Sequence, residues 1–408
     1  MNISVAQLGS RMHYAVPRIL FQEGILNQLF TDICASKGWP RLLGAIPPSL
    51  RTYGIKQLLS RVPRDIPPEY ITAFNGLGLE YARRLNAATN RTNATAAHLW
   101  ATDRFSELII HHGLGEADAI YGFNAGCSKL YQGAKQNGYK VVMEQFIAPR
   151  LVEKRLLDPE QSKACEWGQI EEDGLVGEVV QREQIAWHLA DIILCGSEFV
   201  RQGVVTEGGP AEKCVVIPYG VELSDFDVGD RAPRGVNDPL RVLFVGSVST
   251  RKGARYLLNA MRQLEDMPVH CRMIGGWQVS SDVLRRHTPP NVELVGQIPR
   301  SYVAREYACA DVFCLPSLCE GSAVVVYEAL AAGLPVITTH NSGSIVRDGL
   351  EGFIVPIQDS RAIAEGLERL ASEPSLLRMM SVAARERSTV GSIEAYRQRL
   401  LEVLKSVA

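Results

Sequence analysis

The sequence predicts an α/β protein of two doubly wound halves, each a parallel sheet with helices on both faces. Short apolar runs bounded by Gly, Pro or Asp alternate with longer stretches of helical periodicity, as expected of βαβ units. The alternation stops in an Asp-, Gly- and Pro-rich stretch, Pro218 to Pro239, and then resumes. The chain is also 408 residues long, more than one hydrophobic core usually serves.

In the first half the order reads ISVAQL, a helix over Val16 to Leu29, ADAIYGF, a helix over Ala125 to Gln136, KVVME, ADIILCG and a helix over Glu198 to Thr206. The strands are apolar almost throughout, as in parallel sheets covered on both faces. Beyond the linker come LRVLFVG, a helix over Ala254 to Leu264, VHCRMIGG, VELVGQI, a helix over Ser301 to Ala310 and DVFCLPS. A helix apolar around Glu328 follows through Ala323 to Ala332, closed by Gly333 and Pro335, then LPVITT, GFIVPI and a helix over Ile363 to Leu370. The last segment, GSIEAYRQRLLEVLKSVA, is a helix with Ser392 as N-cap and Ile393, Tyr396, Leu400, Leu401 and Leu404 on one face.

Composition narrows the function. Hydrophobic residues make up 46%, charged residues 22%, and the net charge is −2, a globular balance that argues against a nucleic-acid-coating role. Nine cysteines without framework spacing suit free thiols in a reducing compartment. No basic-then-apolar leader opens the chain and no long apolar run occurs, so a cytoplasmic location is expected. Cys309, Cys314 and Cys319 read as buried structural thiols, without a histidine to suggest a metal site. His111-His112 suits a helix end, and Glu144 and Gln145, closing the strand KVVME, are candidate acceptor contacts.

Ligands of open α/β sheets bind beyond the carboxyl ends of the strands. In VLFVGSVSTRKG a strand runs into a Gly/Ser turn and then Arg251 and Lys252 at the mouth of a helix, where cations oppose the dipole. A bound phosphate and a merely solvated basic turn account for them about equally. In CEGSAVVVYEALAAGLPVITT, Glu320 stands at a helix start beside the amides of Gly321 and Ser322, which could cradle an anion or a sugar hydroxyl. Glu328 lies within the apolar helix with no basic residue within one turn, so its partner comes from elsewhere in the fold or from a ligand. If both turns face one cleft, a nucleoside diphosphate bearing a sugar fits: cations on the phosphates, Glu320 on the sugar, Glu328 on the ribose.

These stretches resemble the retaining glycosyltransferases of family 4. The resemblance is carried by GSVSTRKG, by ADVFCLPSLCE, by Glu320 and Glu328 with seven residues between them, and by EALAAGLPVITT and NSGSIVRDGLEGFIV. ADIILCGSEFVRQGV and VIPYGVELSDF extend it over roughly Ala190 to Ile357. It implies the GT-B fold, two Rossmann-like domains facing across a cleft: an acceptor-binding domain over residues 1–217, a linker over 218–239, a nucleotide-sugar domain over 240–388 and a terminal helix, 389–408, crossing back to the first domain. It implies that Arg251 and Lys252 hold the donor diphosphate. Glu320 with the amides of Gly321, Ser322 and Ala323 would contact the sugar, and Glu328 the ribose. Gln297 and Ile298 fall at the base, and Gly246, Ser247 and Gly9 at turns approaching the phosphates. The donor would be a nucleotide-diphosphate sugar, with no metal and no further cofactor, and the acceptor a glycan, a lipid-linked glycan or a small hydroxylated molecule. A sugar-nucleotide epimerase of the same fold and a non-catalytic binding partner of another transferase are the competing readings.

The chain departs from the family where a double glycine is common, reading Gly9-Ser10-Arg11, and it has Asn124 and Ala125 where many members carry a histidine. The linker reads Tyr219-Gly220-Val221-Glu222 in place of Asn-Gly-Val-Asp. Residues 37–64 hold six cations and no acid among Trp39, Leu42, Ile46, Leu50 and other apolar residues. An excursion packing its apolar side on the first domain is the expectation, and a peripheral contact with anionic lipid at the inner membrane surface the competing one.

Overall fold

A computed structural model describes residues 1–167, 172–227, 229, 235 and 238–407; of residues 53, 124, 125 and 165 it gives the backbone alone. Much of the expected linker, residues 228, 230–234 and 236–237, lies outside the described residues, as do the side chains of Asn124 and Ala125.

The first half forms a seven-stranded parallel sheet from β1 (Ile3–Gln7), β2 (Leu26–Thr31), β3 (Ile71–Ala73), β4 (Ala119–Phe123), β5 (Lys140–Gln145), β6 (Ile192–Cys195) and β7 (Cys214–Val216), in the order β3-β2-β1-β4-β5-β6-β7. The second half forms a six-stranded parallel sheet from β8 (Leu240–Val245), β9 (Val269–Ile274), β10 (Val292–Gly296), β11 (Val312–Leu315), β12 (Val336–Thr338) and β13 (Gly352–Ile354), ordered β10-β9-β8-β11-β12-β13. In each sheet the winding reverses between the first strand and the fourth, β1 beside β4 and β8 beside β11. Those two switch points are where ligands of such sheets bind.

The second half follows its expectation strand for strand. Two elements of the first half differ. The helix expected over Val16 to Leu29 is the shorter Ala15–Gln22, and Gly24, at φ 69°, turns the chain into β2. The apolar period of FQEGILNQLF suits either a helix or a strand, and pairing with β1 (Val5 against Leu29) decides it. The helix expected from Ala125 begins at Ser128, behind a 3₁₀ turn over Asn124–Cys127.

Contacts across the two halves fix the cleft. Ser197 caps the helix Glu198–Thr206, and its hydroxyl donates to the Gly321 carbonyl at 2.5 Å. A Cβ at Gly321 would stand 1.7 Å from the Phe146 carbonyl oxygen, so only glycine allows this approach. The final helix, Ile393–Val407, is capped by Ser392, and its Arg397 pairs with Glu23 in the first half while Arg399 donates to the Pro218 carbonyl at 2.8 Å. Tyr396, Leu400 and Leu404 are buried beneath it.

Candidate active site

A cleft of about 570 Å³ opens where the two switch points face each other. Ser10, Arg11, Met12 and His13, beyond β1, and Phe146 and Ile147, beyond β5, form one wall. Arg251, Lys252 and the run Glu320 to Val325 form the other.

Three charged side chains meet on the second wall. The Lys252 ammonium lies 2.7 Å from Glu320, and Arg251 binds the same carboxylate oxygen and, at 3.1 Å, the Cys319 carbonyl. Burial holds the Lys252 pKa below the ordinary lysine value, and Glu320 opposes that shift. Glu320 thus offsets two cations with one charge, leaving the wall positive. The apolar helix runs over Val324–Ala331, and among the described residues the amides of Val324 and Val325 have no acceptor. These free donors and the positive end of the helix dipole face the same space as the cations.

Glu328 has a different environment. Its two oxygens are taken by Arg300, at 3.1 Å, and by the hydroxyl of Tyr307, at 3.0 Å, and it is 1% exposed. The partner absent from its own stretch of sequence comes from the helix Arg300–Cys309. Arg300 itself lines the cleft, with its side chain 58% exposed.

The remaining sequence candidates divide. Gly321, Ser322 and Ala323 line the cleft, but the Ala323 amide, expected to face a sugar, is spent on the Ser342 carbonyl at 3.0 Å. Gly246 and Ser247 follow β8, with Gly246 at the foot of the Lys252 side chain. Gln297 and Ile298 lie beyond β10, beside Gly276 and away from the cleft lining. Gly9 turns the chain at φ 75°, but its amide is spent on Asp32 at 2.9 Å, and the next four residues are the ones that face the cleft.

Nothing in the run Ser10 to His13 is anomalous by itself, and the only sequence signal for it is its position just beyond the central strand β1. Met12, His13 and Tyr14 hold φ of 45°, 50° and 61°, three consecutive side-chain-bearing residues in the left-handed region. Each costs roughly 1–2 kcal/mol there, a strain typical of functional loops. The loop lays the Arg11 guanidinium 3.2 Å above the Phe146 ring centroid, close enough to the buried Glu144 to oppose the rise of its pKa. His13 faces the cleft with its pKa lowered, first by burial and then by Arg300.

Three expectations are corrected by packing. Glu144 and Gln145 are not at the surface of the cleft: Glu144 accepts hydrogen bonds from Tyr121 and Tyr219, both at 2.5 Å, and is fully buried with its pKa raised by desolvation. Gln145 accepts from the Trp187 indole at 3.0 Å. Cys309 is exposed, because it closes a helix, whereas Cys314 and Cys319 are buried. Residues 37–64 do not hide their apolar side: Leu42 is 74%, Leu50 69% and Trp39 43% exposed.

Residues 239–373 match the family model described as "Glycosyl transferases group 1". The chain is 30% identical over 234 residues to the amylovoran biosynthesis glycosyltransferase AmsK of Erwinia amylovora, covering 53% of this chain and 57% of that one. It is 32% identical over 174 residues to the putative colanic acid biosynthesis glycosyltransferase WcaL of Escherichia coli K12, covering 39% and 42%. The chain thus spans about half the length of these curated relatives. Among solved structures, sucrose-phosphate synthase of Thermosynechococcus elongatus superposes with a TM-score of 0.68 at 18% identity, covering 100% of this chain and 99% of that one. Anabaena HepE in complex with UDP superposes with a TM-score of 0.67 at 15% identity, covering all of both chains. The fold is therefore GT-B, two parallel sheets facing across the cleft.

Proposed function

We propose that the chain is a metal-independent glycosyltransferase that moves a sugar, with retention at the anomeric carbon, from a nucleoside-diphosphate sugar to an acceptor hydroxyl. The observation that carries this reading is the convergence of Arg251, Lys252 and the open amides of Val324 and Val325 on one side of the cleft, with Glu320 between them. The relatives named for amylovoran and colanic acid biosynthesis support a glycan or lipid-linked glycan as acceptor. HepE was solved with UDP and with UDP-glucose, which makes a uridine donor the first to test.

In the reaction the bond between the anomeric carbon and the diphosphate oxygen breaks, and its electron pair goes to the leaving nucleoside diphosphate. Arg251, Lys252 and the helix start stabilise that charge without reorganising in the step itself. The acceptor hydroxyl attacks from the face the diphosphate leaves and passes its proton to the departing phosphate. Donor binding inserts phosphate where the Glu320 carboxylate now sits against the cations, freeing Glu320 for the hydroxyls of the sugar. A ribose at Glu328 displaces Arg300, whose exposed side chain can swing aside.

Thermal-shift screening against UDP, GDP and their sugars tests the reading, because a ligand of the native state raises its stability by mass action. A shift with one nucleoside diphosphate and its loss in Arg251→Ala and Lys252→Ala are expected; no shift with any of them refutes it. The acid-free, apolar-tipped stretch within residues 37–64 is proposed as a peripheral contact with anionic lipid.

A further inference from the structure

Behind the cleft, in the first half alone, lies a second cavity of about 590 Å³. It sits at the carboxyl ends of β1, β4 and β5 and shares two residues, Arg11 and Phe146, with the cleft. Most of its exposed wall is apolar, from Leu8, Leu99, Phe123, Phe146 and Val179, with Thr95 and Thr102 donating to Asp173 and to the Leu99 carbonyl. Apart from Arg11 at the threshold, the charged groups around it are engaged: Arg91 lies 3.6 Å from Glu153, Arg150 binds Asp173 at 3.0 Å, and the Arg150 amide donates to Glu183 at 2.9 Å. At the rim Tyr81 and His98 hydrogen-bond to each other. A free sugar placed here would leave most of its hydroxyls against hydrocarbon, each unpaired group losing its hydration without return.

We propose that this cavity receives the apolar aglycone of the sugar acceptor, an alkyl or aryl group whose attached sugar projects past Arg11 and Phe146 into the donor cleft. Arg11 suits this threshold. Its planar guanidinium is stacked on Phe146, offers donors to hydroxyls on the cleft side and presents only its flat face to the ring. The volume lies within the usual range for an enclosed small-ligand site, about 300–1,000 Å³. This assignment rests on the transferase reading for the word acceptor, and on the cavity itself for the apolar chemistry.

The test is calorimetric titration of the full-length chain with hexyl β-glucoside, phenyl β-glucoside and free glucose, alongside nucleotide thermal shifts. The hexyl and phenyl glucosides should bind at least tenfold more tightly than glucose. Ala94→Trp, which fills the cavity from the half-buried face of the helix Arg91–His112, should abolish that advantage while the nucleotide shift persists. Leu99→Gln, a smaller change, should reduce it severalfold should the tryptophan variant fail to fold. Hexyl glucoside bound equally by the folded variants and the parent, or glucose bound as tightly as hexyl glucoside, overturns the proposal. Cavity-dependent binding of the apolar glucosides with no nucleotide shift in the parent overturns the transferase reading and the acceptor role, leaving a site for apolar ligands.

Discussion

Lys252 shows how one side chain's surroundings set the chemistry of the whole cleft. Its pKa is lowered by burial, so the ammonium that would hold a diphosphate is lost at a lower pH than a free lysine would lose it, about 10.4. Nucleotide affinity should therefore fall on raising the pH from 7 toward 10, and Lys252→Arg, which stays charged, should flatten the titration. Glu320→Gln should lower turnover while nucleotide binding survives, whereas Glu328→Ala should weaken nucleotide affinity; steady-state kinetics with equilibrium binding checks both, and the reverse pattern would exchange the two roles. Glu183 allows a prediction on stability. Burial pushes its pKa up to about 7 against the pull of Arg150. Since the folded state then holds its proton more tightly than the unfolded one, this contribution is complete below about pH 4.5 and is lost as the pH rises through 7. Glu183→Gln should stabilise the fold at pH 8 by on the order of 1–3 kcal/mol and have little effect at pH 4.5, measured by denaturant unfolding. At this scale the sequence was half legible. It singled out Arg251 and Lys252 because cations at a helix mouth oppose the dipole, and Glu328 because a carboxylate in an apolar helix lacks a local partner, whereas Glu320 at a helix start is locally ordinary. It could not supply Arg300 and Tyr307 for Glu328, because those contacts arise only when the helices pack.

The loop beyond β1 and the turn at Gly321 are the elements that shape the cleft. Three left-handed residues in the loop cost stability that a glycine would recover, so His13→Gly should raise the unfolding free energy by about 1 kcal/mol. If the strain serves to hold Arg11 over Phe146, the same variant should lose activity; a stabilised variant of unchanged activity would make the strain incidental. Gly321→Ala should fail differently. Its methyl would meet the Phe146 carbonyl, forcing the two halves apart, and a loss of roughly 1–3 kcal/mol together with nucleotide affinity is expected from thermal unfolding with and without UDP. The elements of the second half were legible because β8, β11 and β12 are buried apolar runs ending in motifs, with β9 and β10 alternating between them. β2 and β3 were not, since LNQLFT continues a helical period and ITA has only three residues. Pairing assigns them, β2 against β1 and β3 against β2, and register is not a local property.

At the scale of the molecule, the two-sheet plan was readable from alternation and its interruption, but the outward face of residues 37–64 was not. Amphipathicity says that an apolar side exists, not what covers it. With no helix of the described residues long and apolar enough to cross a membrane, the exposed Trp39, Leu42 and Leu50 would act only at a surface. Flotation with vesicles rich in anionic lipid should recover the chain at low salt and lose it in Leu42→Glu/Leu50→Glu; recovery of the variant would remove this segment from the contact. The cluster beneath the cleft bears on how the chain is made. Glu144 is bound by Tyr121 from the neighbouring strand and by Tyr219 from beyond the sheet, and Tyr396, from the last helix, packs against Tyr219 to enclose them. During synthesis the first sheet is complete long before Tyr396 leaves the ribosome. Until Tyr396 is in place Glu144 is held by Tyr121 and Tyr219 alone, so the enclosure of this carboxylate is completed only by the helix Ile393–Val407.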